Sequence, residues 1–330
     1  MTFLKSIDEL RGVFYNEINK HPSIALLTHK NPDGDGLSTC FVLQEILLSL
    51  GHKSDVVTDE PSPNNLLFLE PDSRVTPFNE EMTYSLLIVL DSHSAKRLGR
   101  PAMLIDKADS VVVIDHHQID DPLDGYIYND PDSASTGLII YQAFEKEIKT
   151  LPEPNRLFVA EALYTTLLND TNRFQNNNTD EKVFALSKEL TKLGISPAEL
   201  SKKYLLSYPA EYYRFLGQAL ATIKSFQEGK IIFFNSSVKM LEENGLTQND
   251  TSKLTNWLEN AKGCEIIVYF RELEENAYRL SLRSKSVNIN EVAKSFGGGG
   301  HILASGCVIE ESLNKAEELI LQKLLPLLDT

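Results

Sequence analysis

Three short apolar runs, at residues 23–28, 84–90 and 110–114, set the tightest limit on what this chain can fold into. The last two are almost continuously apolar, the pattern of parallel strands buried on both faces by helices. A fourth strand is expected at 54–58. Helical stretches alternate with these strands. Ser6-x-x-Glu9 reads as a capping box opening a helix that runs to about residue 20. Residues 37–50 carry helical periodicity and stop at Gly51, and further helices are expected at 136–147 and 155–168. This alternation predicts an α/β domain, doubly wound around a mainly parallel sheet.

The second half reads differently. From 179 to about 226 the pattern is helical, and Ser196-Pro197-Ala-Glu199 is a second capping box with proline at the first helical position. Strands are expected near 230–235, 265–271 and 277–283, the last two joined as a hairpin through Glu274-Glu275-Asn276. A short helix at 290–296 leads into Gly297-Gly298-Gly299-Gly300-His301, and a final helix is expected at 312–328. These elements predict a smaller α+β domain. The expected division is a first domain at 1–185, a helical connector at 186–227 and a second domain at 228–330.

Composition narrows the function. The 330 residues suit two domains, and 42% apolar with 24% charged residues excludes disordered, collagen-like and membrane classes. Asp and Glu number 47 against 32 Lys and Arg, a net charge of −15. So acidic a surface argues against a protein that coats long nucleic acids, because phosphate neutralisation needs basic groups. Cys40, Cys264 and Cys307 are too few and too scattered for a disulfide framework. The N-terminal MTFLKSIDELRGVF lacks the apolar stretch of a signal peptide, and no run approaches a membrane span. A reduced, soluble, cytoplasmic protein without membrane contact is expected.

In open parallel sheets, ligands bind beyond the carboxyl ends of the strands. The first strand here runs into His29-Lys-Asn-Pro-Asp33-Gly-Asp35, the 84–90 strand ends at Asp91, and the 110–114 strand ends at Asp115-His116-His117. Asp170 ends an apolar helical run and joins them as a fourth candidate. Carboxylates and imidazoles together suit Mn²⁺, Fe²⁺, Co²⁺ or Zn²⁺, whereas Mg²⁺ prefers oxygen alone. The candidates are too many for one ion. A two-metal site of the kind that hydrolyses phosphate esters is the economical reading. Pro32, Gly34 and Gly36 let the first loop curl so that Asp33 and Asp35 face one centre.

These motifs, in this order, resemble the DHH phosphoesterase superfamily: His29 to Asp35 its first motif, Asp91 the second, Asp115-His116-His117 the third and Asp170-Thr171 the fourth. Gly297 to His301 followed by Ala304-Ser305-Gly306 is similar to the DHHA1 substrate-binding domain. The resemblance spans residues 29 to 306. It implies one metal held by His29, Asp33 and Asp91 and a second held by Asp35, Asp91, His116 and Asp170. Asp91 would bridge two divalent ions, expected to be Mn²⁺, and a hydroxide between them would attack phosphorus. His117 resembles the histidine that faces the substrate phosphate, and Asp115 is expected to orient an imidazole or bound water. Asn169 and Asn172 depart from the commonest fourth motif, as Gly36-Leu-Ser38 does from the first and Ala304-Ser-Gly306 from the distal one, yet no ligand is lost. His93 is expected as an exposed loop residue, with a place beside phosphate or metal as the alternative.

The second domain is expected to read the substrate. Consecutive glycines leave backbone N–H groups free to converge on an anion, which makes Gly298, Gly299 and Gly300, with His301, the expected phosphate cradle. Along the 277–284 strand Arg279, Ser281 and Arg283 share one face, and Arg283, at the strand end, is the better candidate for a phosphate fork. In the family this domain grips a terminal phosphate or nucleotide in an interdomain cleft while the metals cut the adjacent ester. The group resembled within the superfamily is that of bifunctional oligoribonucleases and 3′-phosphoadenosine-5′-phosphate phosphatases, acting on short RNA and small nucleotides. Hydrolysis of pApA or cyclic di-AMP is the alternative. A family II inorganic pyrophosphatase stands below it, because Gly-Gly-Gly-Gly-His replaces a Ser-Arg-Lys-Lys signature. A nucleotide sensor without turnover is the non-enzymatic alternative, and the intact ligand set argues against it. A homodimer stays open as the assembly.

Overall fold

The structure is a computed structural model and describes residues 1–70, 74–205, 208–251 and 254–328. It divides into two compact units, Met1–Ser207 and Tyr208–Thr330. The first contains β1 (Thr2–Leu4), α1 (Ile7–Lys20), β2 (Ile24–Leu27), α2 (Gly34–Ser49), β3 (Ser54–Thr58), β4 (Val75–Pro77), β5 (Leu86–Leu90) and α3 (Ala95–Leu98). It continues with β6 (Ser110–Asp115), β7 (Tyr126–Asn129), α4 (Thr136–Thr150), α5 (Glu153–Asp170), α6 (Glu181–Lys192) and α7 (Pro197–Leu205). Its seven strands lie in the order β1-β7-β6-β5-β2-β3-β4, and every pairing is parallel.

Alternation along the central strands explains the double burial. Ile24, Leu26, Leu86, Ile88, Val112 and Ile114 point into a core shared with α1, α2, α4 and α5. Ala25, Leu27, Leu87, Val89, Val111 and Val113 point into a second core with Phe78, Leu98, Leu104 and Leu123. The continuous apolar runs are therefore two faces interleaved with period two. Helix boundaries follow local chemistry. Ser6 Oγ accepts the Glu9 N–H at 3.1 Å, while the Glu9 carboxylate takes the N–H of Lys5 at 2.8 Å. Ser196 accepts the Glu199 N–H at 3.4 Å. Helix α2 starts at Gly34, earlier than its periodicity indicates, because Asp33 caps it through the N–H groups of Asp35 and Gly36. The short strands β1, β4 and β7 escape the sequence reading. At three or four residues, with partly exposed side chains, they carry little pattern.

The second unit contains α8 (Ala210–Leu220), β8 (Lys224–Phe226), β9 (Ile231–Ser236), α9 (Val238–Glu243), β10 (Ile266–Glu274), β11 (Ala277–Ser284), α10 (Asn290–Ser295), β12 (Gly299–His301), β13 (Ala304–Ile309) and α11 (Leu313–Leu328). Its sheet order is β12-β13-β11-β10-β9-β8, parallel only between β9 and β10. One face packs on α10 and α11 through Val268, Leu280, Leu282, Val292 and Ile320. Opposite it, Phe234, Ile267 and Tyr269 pack on Tyr212, Phe215 and Leu241. The 186–227 stretch, expected as a connector, is mostly helical and is shared out: α6 and α7 lie in the first unit and α8 in the second.

Two exposed helical glycines, Gly12 in α1 and Gly217 in α8, have nothing within 4 Å of the place a Cβ would take. Gly137, at the start of α4, is pressed against the Thr166 side chain of α5. Gly12→Ala and Gly217→Ala are expected to stabilise their units by up to about 1 kcal/mol. Gly137→Ala should destabilise by about 1–3 kcal/mol through overpacking. Urea unfolding of the three variants against the parent chain checks both signs.

Candidate metal centre

The chain runs β2, β3, β4 toward one edge of the first sheet, then returns to place β5 beside β2 and continues to β6 and β7 on the other side. The β2–β5 boundary is thus the topological switch point, where the carboxyl ends of strands open a crevice. His29 and Asp33 follow β2, Asp35 lies in the first turn of α2, Asp91 follows β5, and Asp115 to His117 end β6. Asp170 is the last residue of α5, which packs along α2. Asp91 has φ of +58°, a left-handed backbone uncommon outside glycine and found at functional sites.

Two groups of side chains meet at Asp91. His29 Nε2 lies 3.6 Å from Asp33 Oδ1 and 3.4 Å from Asp91 Oδ2. His116 Nε2 lies 3.0 Å from Asp170 Oδ2, 3.4 Å from Asp91 Oδ1 and 3.8 Å from Asp35 Oδ2. Donor atoms of His29, Asp33 and Asp91 fall within 4.8 Å of one another, as do those of Asp35, His116 and Asp170. So do those of Asp91, His116 and His117. The structure brings together all six residues expected as metal ligands from the sequence.

The donors fit a cation. His29 Nδ1 is 2.9 Å from the Lys30 carbonyl and His116 Nδ1 is 3.1 Å from that of Ser133. A carbonyl only accepts, so each Nδ1 carries a proton and each Nε2 turns its remaining position to carboxylates. Asp170 Oδ2 is buried and faces His116 Nε2. Something positive must lie between these atoms. With protons in that role, burial opposes the charge on His29, but bonds to Asp33 and Asp91 prevail and raise its pKa to about 11. His116 behaves likewise, raised to about 12 against burial by Asp170, Asp91 and Asp35. Burial and neighbouring carboxylates push Asp35 and Asp170 upward. Asp91 stays low despite its burial because His116 and His29 donate to it. Divalent ions would take over the role of those protons.

Backbone and side-chain donors hold the carboxylates from behind. Asp33 Oδ1 accepts the N–H groups of Asp35 and Gly36 at 3.1 and 3.2 Å. Asp35 accepts those of Thr136 and Gly137, at the start of α4, at 2.7 and 3.1 Å. Asn169 donates to Asp33 Oδ2 at 3.0 Å and Asp170 Oδ1 at 2.7 Å, and accepts from Gly34 N–H and the Tyr204 hydroxyl. A Cβ at Gly36 would collide with Thr28 and approach Asp91 Oδ2, so this turn requires glycine. Asn169 stood out in sequence only as a departure, and its ties to both loops are seen only in three dimensions. Asn172 lies beyond the cluster, where its side-chain oxygen accepts from exposed Arg173.

Asp115 is fully buried and its Oδ1 accepts from His116 N–H, His117 N–H and His117 Nδ1, at 2.7, 3.2 and 2.8 Å. His117 Nε2 is 3.4 Å from the Arg97 guanidinium. Arg97 went unnoticed in the sequence, where nothing marks it beyond lying six residues after Asp91. His93 is no exposed loop residue. It is 2% exposed and lies between Asp115 and Asp120.

In the second unit Arg283 pairs with Ala304, and Ala304 with His301, so the three form one row across β11, β13 and β12. Arg283 is half-buried, and one of its N–H groups donates to the Leu282 carbonyl at 2.9 Å. The four glycines are not a free run of amides. Gly297 and Gly298 donate to Lys294 and Ala293, closing α10, and Gly299 and Gly300 pair with β13. Close approach to the β13 backbone at Gly298 and Gly300 leaves no room for a Cβ.

A family model for the DHH family N-terminal domain matches residues 23–167, and one for the DHHA1 domain matches 219–325. The chain is 29% identical over 304 residues to a bifunctional oligoribonuclease and PAP phosphatase of Thermus thermophilus, covering 91% of this chain and 88% of that protein. It is 30% identical to a probable bifunctional oligoribonuclease and PAP phosphatase of Streptococcus mutans, covering 88% and 90%. An exopolyphosphatase-related protein from Bacteroides fragilis shares the fold, with a TM-score of 0.88, 20% identity and coverage of 99% and 100%. Among the described residues no helix is long and apolar enough to cross a membrane.

Binding of a divalent ion should release the protons held by His29 and His116, so affinity should rise with pH between about 6 and 8. Calorimetric titrations in buffers of different ionisation enthalpy measure the released protons directly. Affinity that stays flat with pH would show that these imidazoles give up no protons on binding.

Proposed function

The chain belongs to the DHH phosphoesterase family, and from that premise we propose a two-metal enzyme that hydrolyses short oligoribonucleotides and 3′-phosphoadenosine-5′-phosphate. The observation that carries the reading is Asp91, whose two oxygens face separate His/Asp groups. His29, Asp33 and Asp91 would hold one ion, and Asp35, Asp91, His116 and Asp170 the other. A mixed imidazole and carboxylate set favours Mn²⁺ over Mg²⁺. Such ions, when bound, neutralise phosphate charge and bring the pKa of water toward neutrality.

The chain's own groups orient the ester. Asp115 holds the Nδ1–H of His117, which leaves Nε2 on the side of Arg97. Arg97, beside His117, offers phosphate a donor edge that needs no metal. In the second unit we assign nucleotide phosphate recognition to Arg283 and His301, on one row of the sheet, with the Gly298–Gly300 backbone beside them. An acidic chain suits short esters over long polymers, since its positive groups are local. The free thiols of Cys40, Cys264 and Cys307, all buried, are consistent with a cytoplasmic enzyme.

Purified protein with Mn²⁺ should hydrolyse 3′-phosphoadenosine-5′-phosphate and 2–5-mer RNA in a panel that also holds pApA, cyclic di-AMP and pyrophosphate. Failure on every nucleotide would overturn the reading, and turnover of pyrophosphate alone would make it a pyrophosphatase. Asp91→Ala should lower kcat/KM by at least about 1,000-fold and weaken metal binding with it. Near-normal turnover of that variant would remove the bridging role.

Arg283→Ala tests recognition separately. It should raise KM about 10-fold while kcat changes less than about 3-fold, as expected for uniform binding of substrate and transition state. An unchanged KM would take Arg283 out of the site.

A further inference from the structure

His93 donates no atom to either His/Asp group, yet it is buried two residues after Asp91. Its Nδ1 lies 2.5 Å from Asp115 Oδ2, and its Nε2 lies 2.9 Å from Asp120 Oδ1. A carboxylate only accepts, so His93 Nδ1 donates to Asp115, while Nε2 lies beside both the carboxylate and the N–H of Asp120. Its backbone is fixed as well, since the His93 carbonyl takes the Leu123 N–H at 2.8 Å. On Asp115 the two oxygens have separate partners. Oδ1 collects the N–H groups of the His116–His117 turn and the His117 ring, while Oδ2 meets His93.

This forms a chain of side chains, Asp120, His93, Asp115, His117 and Arg97, each in contact with the next. The Asp120 end is exposed and the Asp115 link is fully buried. Without the His93 donor, a buried carboxylate oxygen loses its partner, an arrangement proteins avoid. The Asp115 carboxylate would turn to recover a donor, and its hold on the His117 Nδ1–H would loosen. A neutral imidazole has two tautomers, and the hydrogen bond at one nitrogen decides which nitrogen stays free. Arg97, at His117 Nε2, can serve the same tautomer from the other side only while Nδ1 keeps its proton.

We propose that His93 is a positioning residue: through Asp115 it fixes the tautomer and orientation of His117. The consequence for turnover rests on the phosphoesterase reading above, whereas the state of the His117 ring does not.

The test uses His93→Asn and His93→Gln in full-length protein. The Asn amide falls near the place of Nδ1 and keeps a donor for Asp115, while the Gln amide falls near Nε2 and does not. His93→Gln should lower kcat about 10–100-fold, the usual effect of losing such a partner, with KM and metal affinity within about 3-fold of the parent. His93→Asn should recover most of that loss. Nitrogen-15 histidine NMR of the Zn²⁺-loaded proteins, with His117 assigned by its own substitution, should show one Nδ1–H tautomer in the parent and in His93→Asn. A mixture is expected in His93→Gln. Equal losses in both variants, or a fall in metal affinity that accounts for the fall in kcat, would overturn the proposal. An unchanged His117 signal in His93→Gln would do the same. If no nucleotide is hydrolysed by the parent chain, the proposed function fails while the NMR comparison still decides what His93 holds.

Discussion

Four carboxylates, those of Asp33, Asp35, Asp91 and Asp170, gather at one end of a sheet, and the rest of the first unit is arranged around that charge. Burying one carboxylate is unfavourable, and burying several together adds mutual repulsion. Two kinds of countercharge are present in the chain. The imidazoles of His29 and His116 face the carboxylates directly. The N–H groups at the starts of α2 and α4 point at Asp33 and Asp35, where helix termini carry partial positive charge. Neither kind equals the formal charge of four carboxylates, and that remainder is what makes the cluster a place for cations.

This requirement explains features that core packing does not. A parallel sheet with a switch point puts the ends of β2 and β5 side by side, so residues 62 apart in sequence, His29 and Asp91, come within 3.4 Å. Helix α2 must start close against the strand ends for Asp35 to reach the cluster, and glycine at 34 and 36 permits the approach to Tyr204, Asn169 and Thr28. Strain at Asp91 has the same origin. Its left-handed backbone breaks β5 at the residue whose two oxygens are shared between neighbours, and packing on every side over-determines that conformation.

Much of this was legible in the sequence because the strands that position the cluster are buried on both faces. The runs ending at Asp91 and Asp115 are unbroken apolar from Leu86 and from Val111, so their type and their polar ends were plain, and all six expected ligand positions converge. Pairwise contacts between distant loops left less trace. Asn169 ties Asp33 to Asp170, yet no local pattern in Leu168-Asn169-Asp170 reveals it. Arg97 and His93 act on the His117–Asp115 pair from another strand end. The glycine tetrad misled in a specific way. Its amides suggested a free cradle, whereas two of them close α10, and at Gly298 and Gly300 β13 comes too near for side chains. A backbone that must approach another backbone and one that must approach an anion call for the same residue.

The cluster also joins folding to occupancy. Asp33 is both the cap of α2 and a partner of His29, and Asp35 both receives the first amides of α4 and faces His116. Removing either carboxylate would uncap a helix start as well as alter the site, so loss of stability and loss of metal would arrive together. Conversely, a cation bound only by the folded cluster stabilises the whole first unit by mass action, by an amount set by its concentration over its dissociation constant. In the metal-free protein the same atoms are held by protons on His29 and His116, which disappear as pH rises through their folded pKa values. The acidic cluster is thus least self-sufficient in alkaline solution, where it binds cations best. At neutral pH protons and metal would compete for the same four carboxylates.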